Sequence, residues 1–186
     1  MTVEPTRDIT DLNYRWAGPD DGQLWLDFVR EQQRATYDLA FGDEPERRAR
    51  MIDVMRERLA DTDSYHCLLA YAGDELVGLA ATGSSPSQWE IEAGLTPSPA
   101  DWELDKLYVS KAWHGSGLAE RMMNEVIAKV PQPAGQEQPR VYLWLIDGNT
   151  RAQRFYEKHG FMHIEECIPC GTPTWAEMTM HRMVMN

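Results

Sequence analysis

Residues 103–130 read ELDKLYVSKAWHGSGLAERMMNEVIAKV. Three patterns follow one another here: a short apolar strand, a turn rich in glycine, and an amphipathic helix. Leu104, Leu107, Tyr108 and Val109 are good strand formers. A spacing of three puts Leu104 and Leu107 on opposite faces of a regular strand, with Asp105-Lys106 between them. Two readings fit. A bulge near Asp105-Lys106 would return both leucines to one face and leave a backbone amide unpaired. Alternatively, the strand is covered by apolar groups on both faces.

The turn, His114-Gly115-Ser116-Gly117-Leu118-Ala119, is small and flexible, and a helix begins inside it. Leu118, Met122, Val126 and Val130 recur every four residues, with Ala119, Met123 and Ile127 alongside, so one helical face is buried. Glycines let a chain curl so that several amide N–H groups point into one hollow. A helix start adds its positive dipole end, and such a hollow binds phosphate. The chain contains neither GxxxxGK[ST] nor GxGxxG, which argues against a nucleotide triphosphate loop and a dinucleotide fold. Alone, the turn reads equally well as a tight strand-to-helix connection.

Residues 141–161, VYLWLIDGNTRAQRFYEKHGF, supply a second block: a strand, an Asn at a helix start, Phe-Tyr in mid-helix and a Gly-Phe exit. With both blocks in view, the chain resembles the GNAT N-acetyltransferase superfamily. The family's pyrophosphate signature, Gln/Arg-x-x-Gly-x-Gly/Ala, is met by His114-x-x-Gly117-x-Ala119, with His114 as the departure. Its later block is met by Asn149, Ala152, Phe155, Tyr156, Gly160 and Phe161. The likeness is good over roughly residues 100–165 and holds elsewhere only in outline.

The resemblance implies an α/β fold: a mixed, mostly antiparallel sheet with splayed central strands and flanking helices. It implies acetyl-CoA as cofactor. The turn His114, Gly115, Ser116, Gly117, Leu118 and Ala119 would hold the pyrophosphate. Leu107, Tyr108 and Val109 would line the pantetheine arm, joined by Asn149, Ala152 and Phe155; Asn149 equally suits a helix cap. Tyr156 is implied as general acid. A phenol with a pKa of about 10 is close enough in acidity to protonate a leaving alkyl thiolate. Its other reading is an aromatic packed beside Phe155. For the base, Glu103 matches the acidic position the family often uses on this strand, and Asp105 lies two residues on. Either could act directly or through water, and both could equally be solvated strand-end carboxylates.

The totals bound the rest. The 186 residues suffice for one domain with a sizeable core, here residues 1–186 with 1–9 loose. A net charge of −12 argues against nucleic acid as a partner and mildly favours a cationic amine as acceptor. No apolar run approaches a membrane span, and the N-terminus shows no signal-peptide pattern. Three cysteines make no disulfide framework, so a cytoplasmic enzyme is expected, with a homodimer left open.

Along the chain, residues 12–16 read as a first strand. Leu24, Phe28, Ala35 and Leu39 mark one face of a helix stopped by Gly42. Pro45 opens a second helix carrying Ile52, Met55 and Leu59. In the family this pair covers the acceptor side, which makes Trp25, Tyr37 and Phe41 candidates for substrate contact or for the core. Strands 66–71 and 75–81 flank Ala72-Gly73-Asp74 as a hairpin. Residues 82–100 break every period and form either a binding loop or a mobile insertion. Within them, Trp89, Glu90 and Glu92 could meet a cationic acceptor. Residues 131–139 connect to the second block, and strands near 161–167 and 176–184 close the chain. The order is β-α-α-β-β-β-α-β-α-β-β. Cys167-Ile168-Pro169-Cys170 suits neither a redox pair, which sits at a helix start, nor zinc, for which only His163 and His181 are near. No metal is expected, and His159 reads as a surface helix end. Two other functions stay open: a non-catalytic acyl-CoA-binding sensor, and an enzyme acting on protein N-terminal amines.

Overall fold

The computed structural model describes residues 7–38, 44–95, 97–132, 134–135, 139–169 and 178–185, without the side chains of residues 165–167. The described strands are β1 (Asn13–Trp16), β2 (Tyr65–Ala72), β3 (Glu75–Ser84), β4 (Trp102–Val109), β5 (Val141–Ile146), β6 (Phe161–Pro169) and β7 (Thr179–Met185). The helices are α1 (Gly22–Tyr37), α2 (Pro45–Ala60), α3 (Gln88–Glu92), α4 (Leu118–Ile127) and α5 (Thr150–Lys158). The strands hydrogen-bond in the order β1-β2-β3-β4-β5-β7-β6. Among the described residues, no helix is long and apolar enough to cross a membrane. Contacts gather these residues into two compact units, one drawn from 1–81 and 106–126, the other from 82–105 and 127–186.

In the first unit, α1 lays Trp25, Leu26, Phe28 and Val29 against Met55 and Leu59 of α2, Cys67 and Leu69 of β2, and Leu79 and Ala81 of β3. The buried face is therefore rotated from the expected one: Ala35 is exposed and Trp25 lies inside. Gly22 allows the two helices to meet, since a Cβ there would lie 2.9 Å from the Ile52 carbonyl oxygen. The helix ends at Tyr37 with Asp38 in a left-handed conformation. The expected stop at Gly42 lies outside the described residues, as do Leu39 and Phe41. Opposite this core, α4 lies over Gly78 of β3, where a Cβ would come within 2.6 Å of Met122 Sδ. The α4 stripe is as expected, with Leu118, Met122, Met123 and Val126 buried.

In the second unit, β7 pairs antiparallel with both β5 and β6. The β6 ladder slips between His163 and Cys167, where extra residues bow out of register. Strand β4 pairs in parallel with β5 at Trp102–Val141 and Glu103–Tyr142, and β5 then runs on to Ile146 without it. At its paired end β4 is buried at Trp102, Glu103 and Leu104. The 82–100 segment is more ordered than expected. β3 runs on through Ser84, and α3 interrupts the loop.

Candidate active site

The strand-to-helix turn forms as the sequence requires. Gly115 and Gly117 take φ values of 81° and 88°, a left-handed backbone that side chains rarely adopt. Ser116 Oγ donates to the Trp113 carbonyl and accepts from the Leu118 amide, which pins the curl from within. Helix α4 starts at Leu118, so its first amides have no partner inside the helix. Among the described residues, the N–H groups of Gly115, Gly117 and Ala119 have no acceptor. A Cβ built on Gly115 would meet nothing within 4 Å, so that side of the turn is open. Such a turn can take a diphosphate, although Glu120 in the first turn of the helix works against an anion. His114 is exposed and its Nε2 sits 2.9 Å from the Val109 carbonyl oxygen. Leu107, Tyr108 and Val109 are half-buried, and Tyr108 leans on the α1–α2 core.

The second unit holds the other candidates. Asn149 caps α5, its Oδ1 accepting from the Ala152 amide at 3.1 Å. Tyr156 is 9% exposed and meets Phe155 and Phe161 edge-on, with centroids 5.4 and 5.5 Å away. It is therefore packed between aromatics while retaining a small opening. Glu103 is 6% exposed, so it is no solvated strand-end carboxylate; Asp105 is half-buried. Burial first, and then the Glu103 charge, push the Tyr142 phenol far above its ordinary value.

Trp25 is buried in the α1 core, which assigns it to packing, and Tyr37 is half-buried at the helix end. Trp89 is partly exposed and its ring lies 5.3 Å from that of Trp144; Glu92 is exposed. Glu90 differs from both neighbours. It is wholly buried and cannot touch a substrate. Its carboxylate accepts from the Tyr142 hydroxyl at 2.7 Å, the Trp144 indole at 2.9 Å and the Ser87 amide at 2.8 Å. The Arg182 guanidinium lies 3.6 Å away and covers the Trp144 ring. Sequence reasoning missed Tyr142, Trp144 and Arg182. The signals were there: an aromatic pair at alternate positions of β5, and one arginine inside the apolar run of β7.

His159 forms the end of α5, as expected, but its ring lies against Phe155 and its Nδ1 bonds the Phe155 carbonyl at 2.7 Å. His163 and His181 stack at 4.2 Å, and no cluster of three metal-ligating side chains exists among the described residues. The Cys167 side chain and Cys170 lie outside them.

The acetyltransferase (GNAT) family profile matches residues 25–161, which takes in both the glycine turn and the Asn149–Phe161 block. The chain belongs to the GNAT acetyltransferase family. Over 61 residues it is 44% identical to an uncharacterized N-acetyltransferase of Mycobacterium tuberculosis, covering 33% of this chain and 37% of that protein. The chain thus spans little more than a third of that relative. It is 31% identical over 93 residues to a Bacillus subtilis subsp. natto protein named probable spermine N(1)-acetyltransferase, covering 50% of this chain and 56% of that one. The GNAT fold extends over nearly the whole chain. The PaiA N-acetyltransferase of Thermoplasma acidophilum, solved with coenzyme A, superposes with a TM-score of 0.58 at 15% identity, covering 94% of this chain and 98% of that one. The short β4–β5 ladder supplies the parting of central strands that the GNAT sheet requires.

Proposed function

We propose that this protein is an acetyl-CoA-dependent N-acetyltransferase that passes acetyl to a primary amine by direct attack in a ternary complex. The observation that carries the reading is the turn at 114–119. Two left-handed glycines and a helix start leave amides without acceptors on an open surface. These amides take the diphosphate, and Leu107 with Val109 offer backbone groups to the pantetheine arm. The carrier, when bound, supplies an acetyl thioester. Asn149 orients the arm with whatever capacity its cap leaves.

Tyr156 supplies the proton for the leaving thiolate. Its ring is held by edge contacts with Phe155 and Phe161, and the residue keeps a small exposure. Glu103, or Asp105 through water, takes the proton of the alkyl ammonium before attack. No cysteine falls within the matched motifs, which supports direct transfer over a covalent enzyme intermediate. The acceptor is a small cationic amine: the net charge of −12 and the likeness to a protein named for spermine both support it. Exposed Trp89 and Glu92 are its candidate contacts.

Two measurements test this. Isothermal titration with acetyl-CoA should give saturable binding, and no heat at millimolar carrier would remove the proposal. Free-thiol release should then appear with diamines and polyamines and not with N-terminal peptides. A tight complex that releases no thiol with any amine would make the protein a sensor of acyl-CoA.

A further inference from the structure

Helix α3 is only five residues long, yet it carries a wholly buried carboxylate, that of Glu90. Glu90 closes a capping box with Ser87, accepting from its amide at 2.8 Å and its hydroxyl at 2.9 Å. The same carboxylate reaches across to β5, where Tyr142 and Trp144 donate to it, and lies near Arg182 of β7. Arg182 in turn donates to the Leu95 carbonyl at 2.6 Å, holding the far end of the segment. The Tyr142 hydroxyl also meets Ser85 Oγ, which lies 2.8 Å from Ser98 Oγ.

Burying a carboxylate is costly unless every lone pair is used, and a satisfied network fixes one geometry. What this one fixes is Tyr142. That residue occupies the last rung of the β4–β5 ladder, and its partner on that rung is Glu103. The ladder ends at the residue that the proposed chemistry needs as a base.

We propose that Glu90 is a positioning residue: its buried carboxylate locks Tyr142 at the end of the β4–β5 ladder and so holds the side chain that neighbours Glu103 across that rung. The inference rests on the reading of Glu103 as base. The ionisable groups facing Glu90 are Tyr142 from β5 and Arg182 from β7, and Glu103 of β4 acts on the same Tyr142 hydroxyl.

The test compares Tyr142→Phe and Glu90→Gln with the unaltered protein. Tyr142→Phe keeps the ring and cuts the link. It should lower kcat for the amine about tenfold and leave acetyl-CoA affinity within twofold. Glu90→Gln should lower kcat by a similar factor and likewise leave acetyl-CoA affinity within twofold. Glu90→Asp, which keeps the carboxylate, should restore part of the lost kcat. If Glu90→Gln does not fold, Tyr142→Phe still decides. Its kcat matching that of the unaltered protein would overturn the positioning role. An acid limb of kcat/KM that survives Glu103→Gln would instead overturn the base assignment.

Discussion

His114 Nε2 lies 2.9 Å from the carbonyl oxygen of Val109, so the first residue of the glycine turn is tied back to the last residue of β4. A carbonyl only accepts, so the imidazole donates here. The tie constrains the loop between strand and helix at both ends. It also means that the Val109 carbonyl is already engaged before the proposed pantetheine arm arrives. His114→Ala should weaken acetyl-CoA binding roughly fivefold, the worth of about 1 kcal/mol for one hydrogen bond. His114→Gln, whose amide can donate to the same carbonyl, should stay near the unaltered protein. Titration calorimetry reads both, and an unchanged Ala variant would remove the tie from the account.

Tyr156→Phe leaves the edge contacts with Phe155 and Phe161 in place and deletes only the hydroxyl. Turnover should fall about a hundredfold while carrier affinity changes little. Steady-state kinetics with separate titration of acetyl-CoA measures the split. Equal losses in both would assign Tyr156 to binding.

Gly22→Ala tests the seat of α1 on α2. The new methyl would lie 2.9 Å from the Ile52 carbonyl oxygen, a backbone atom that cannot swing aside. A loss of about 1–3 kcal/mol in urea denaturation is expected, the usual cost of overpacking. Acetyl-CoA affinity at 25 °C should be unaffected.

Acid stability carries a signature of Asp21. Arg15 donates to both of its oxygens at 2.7 Å, and the Gly18 amide adds a bond at 2.8 Å. The Arg15 hydrogen bonds, helped by the Gly18 amide and opposed by burial, hold the carboxyl below its ordinary range. A pKa depressed on folding adds stability above the unfolded value, about 3.9. That contribution is lost as pH falls through the folded value. Asp21→Asn should therefore be less stable than the unaltered protein at pH 7, and the gap should close in acid below about pH 4. Thermal unfolding across this window checks it; a gap that stays constant to pH 2 would contradict it.

How far the chain could be read from its residues depended on whether the deciding contact was local. The α4 stripe and the left-handed Gly115 and Gly117 follow from spacing and from the steric freedom of glycine. The β2–β3 hairpin was legible for the same reason, with Gly73 at φ 61°. The face of α1 was not: Ala35 fits an apolar stripe, yet α2 and the strands cover Trp25 and Leu26 instead. Glu90 was the least legible. In a run of serine, proline and glutamate it reads as solvated, and the donors that bury it lie 52 and 54 residues away in sequence. Tyr156 and Asn149 stood out only because family spacing singled them out.

The slip in β6 matters beyond its own ladder. Among the described residues, β6 is the outer strand on its side, and β1, four residues long, is the outer strand on the other. An uneven, bowed rim presents its donors and acceptors out of step, and a very short one presents too few. Neither margin is a good template for a strand from a second molecule. These two edges therefore disfavour the zipping of copies into a continuous ribbon at high concentration.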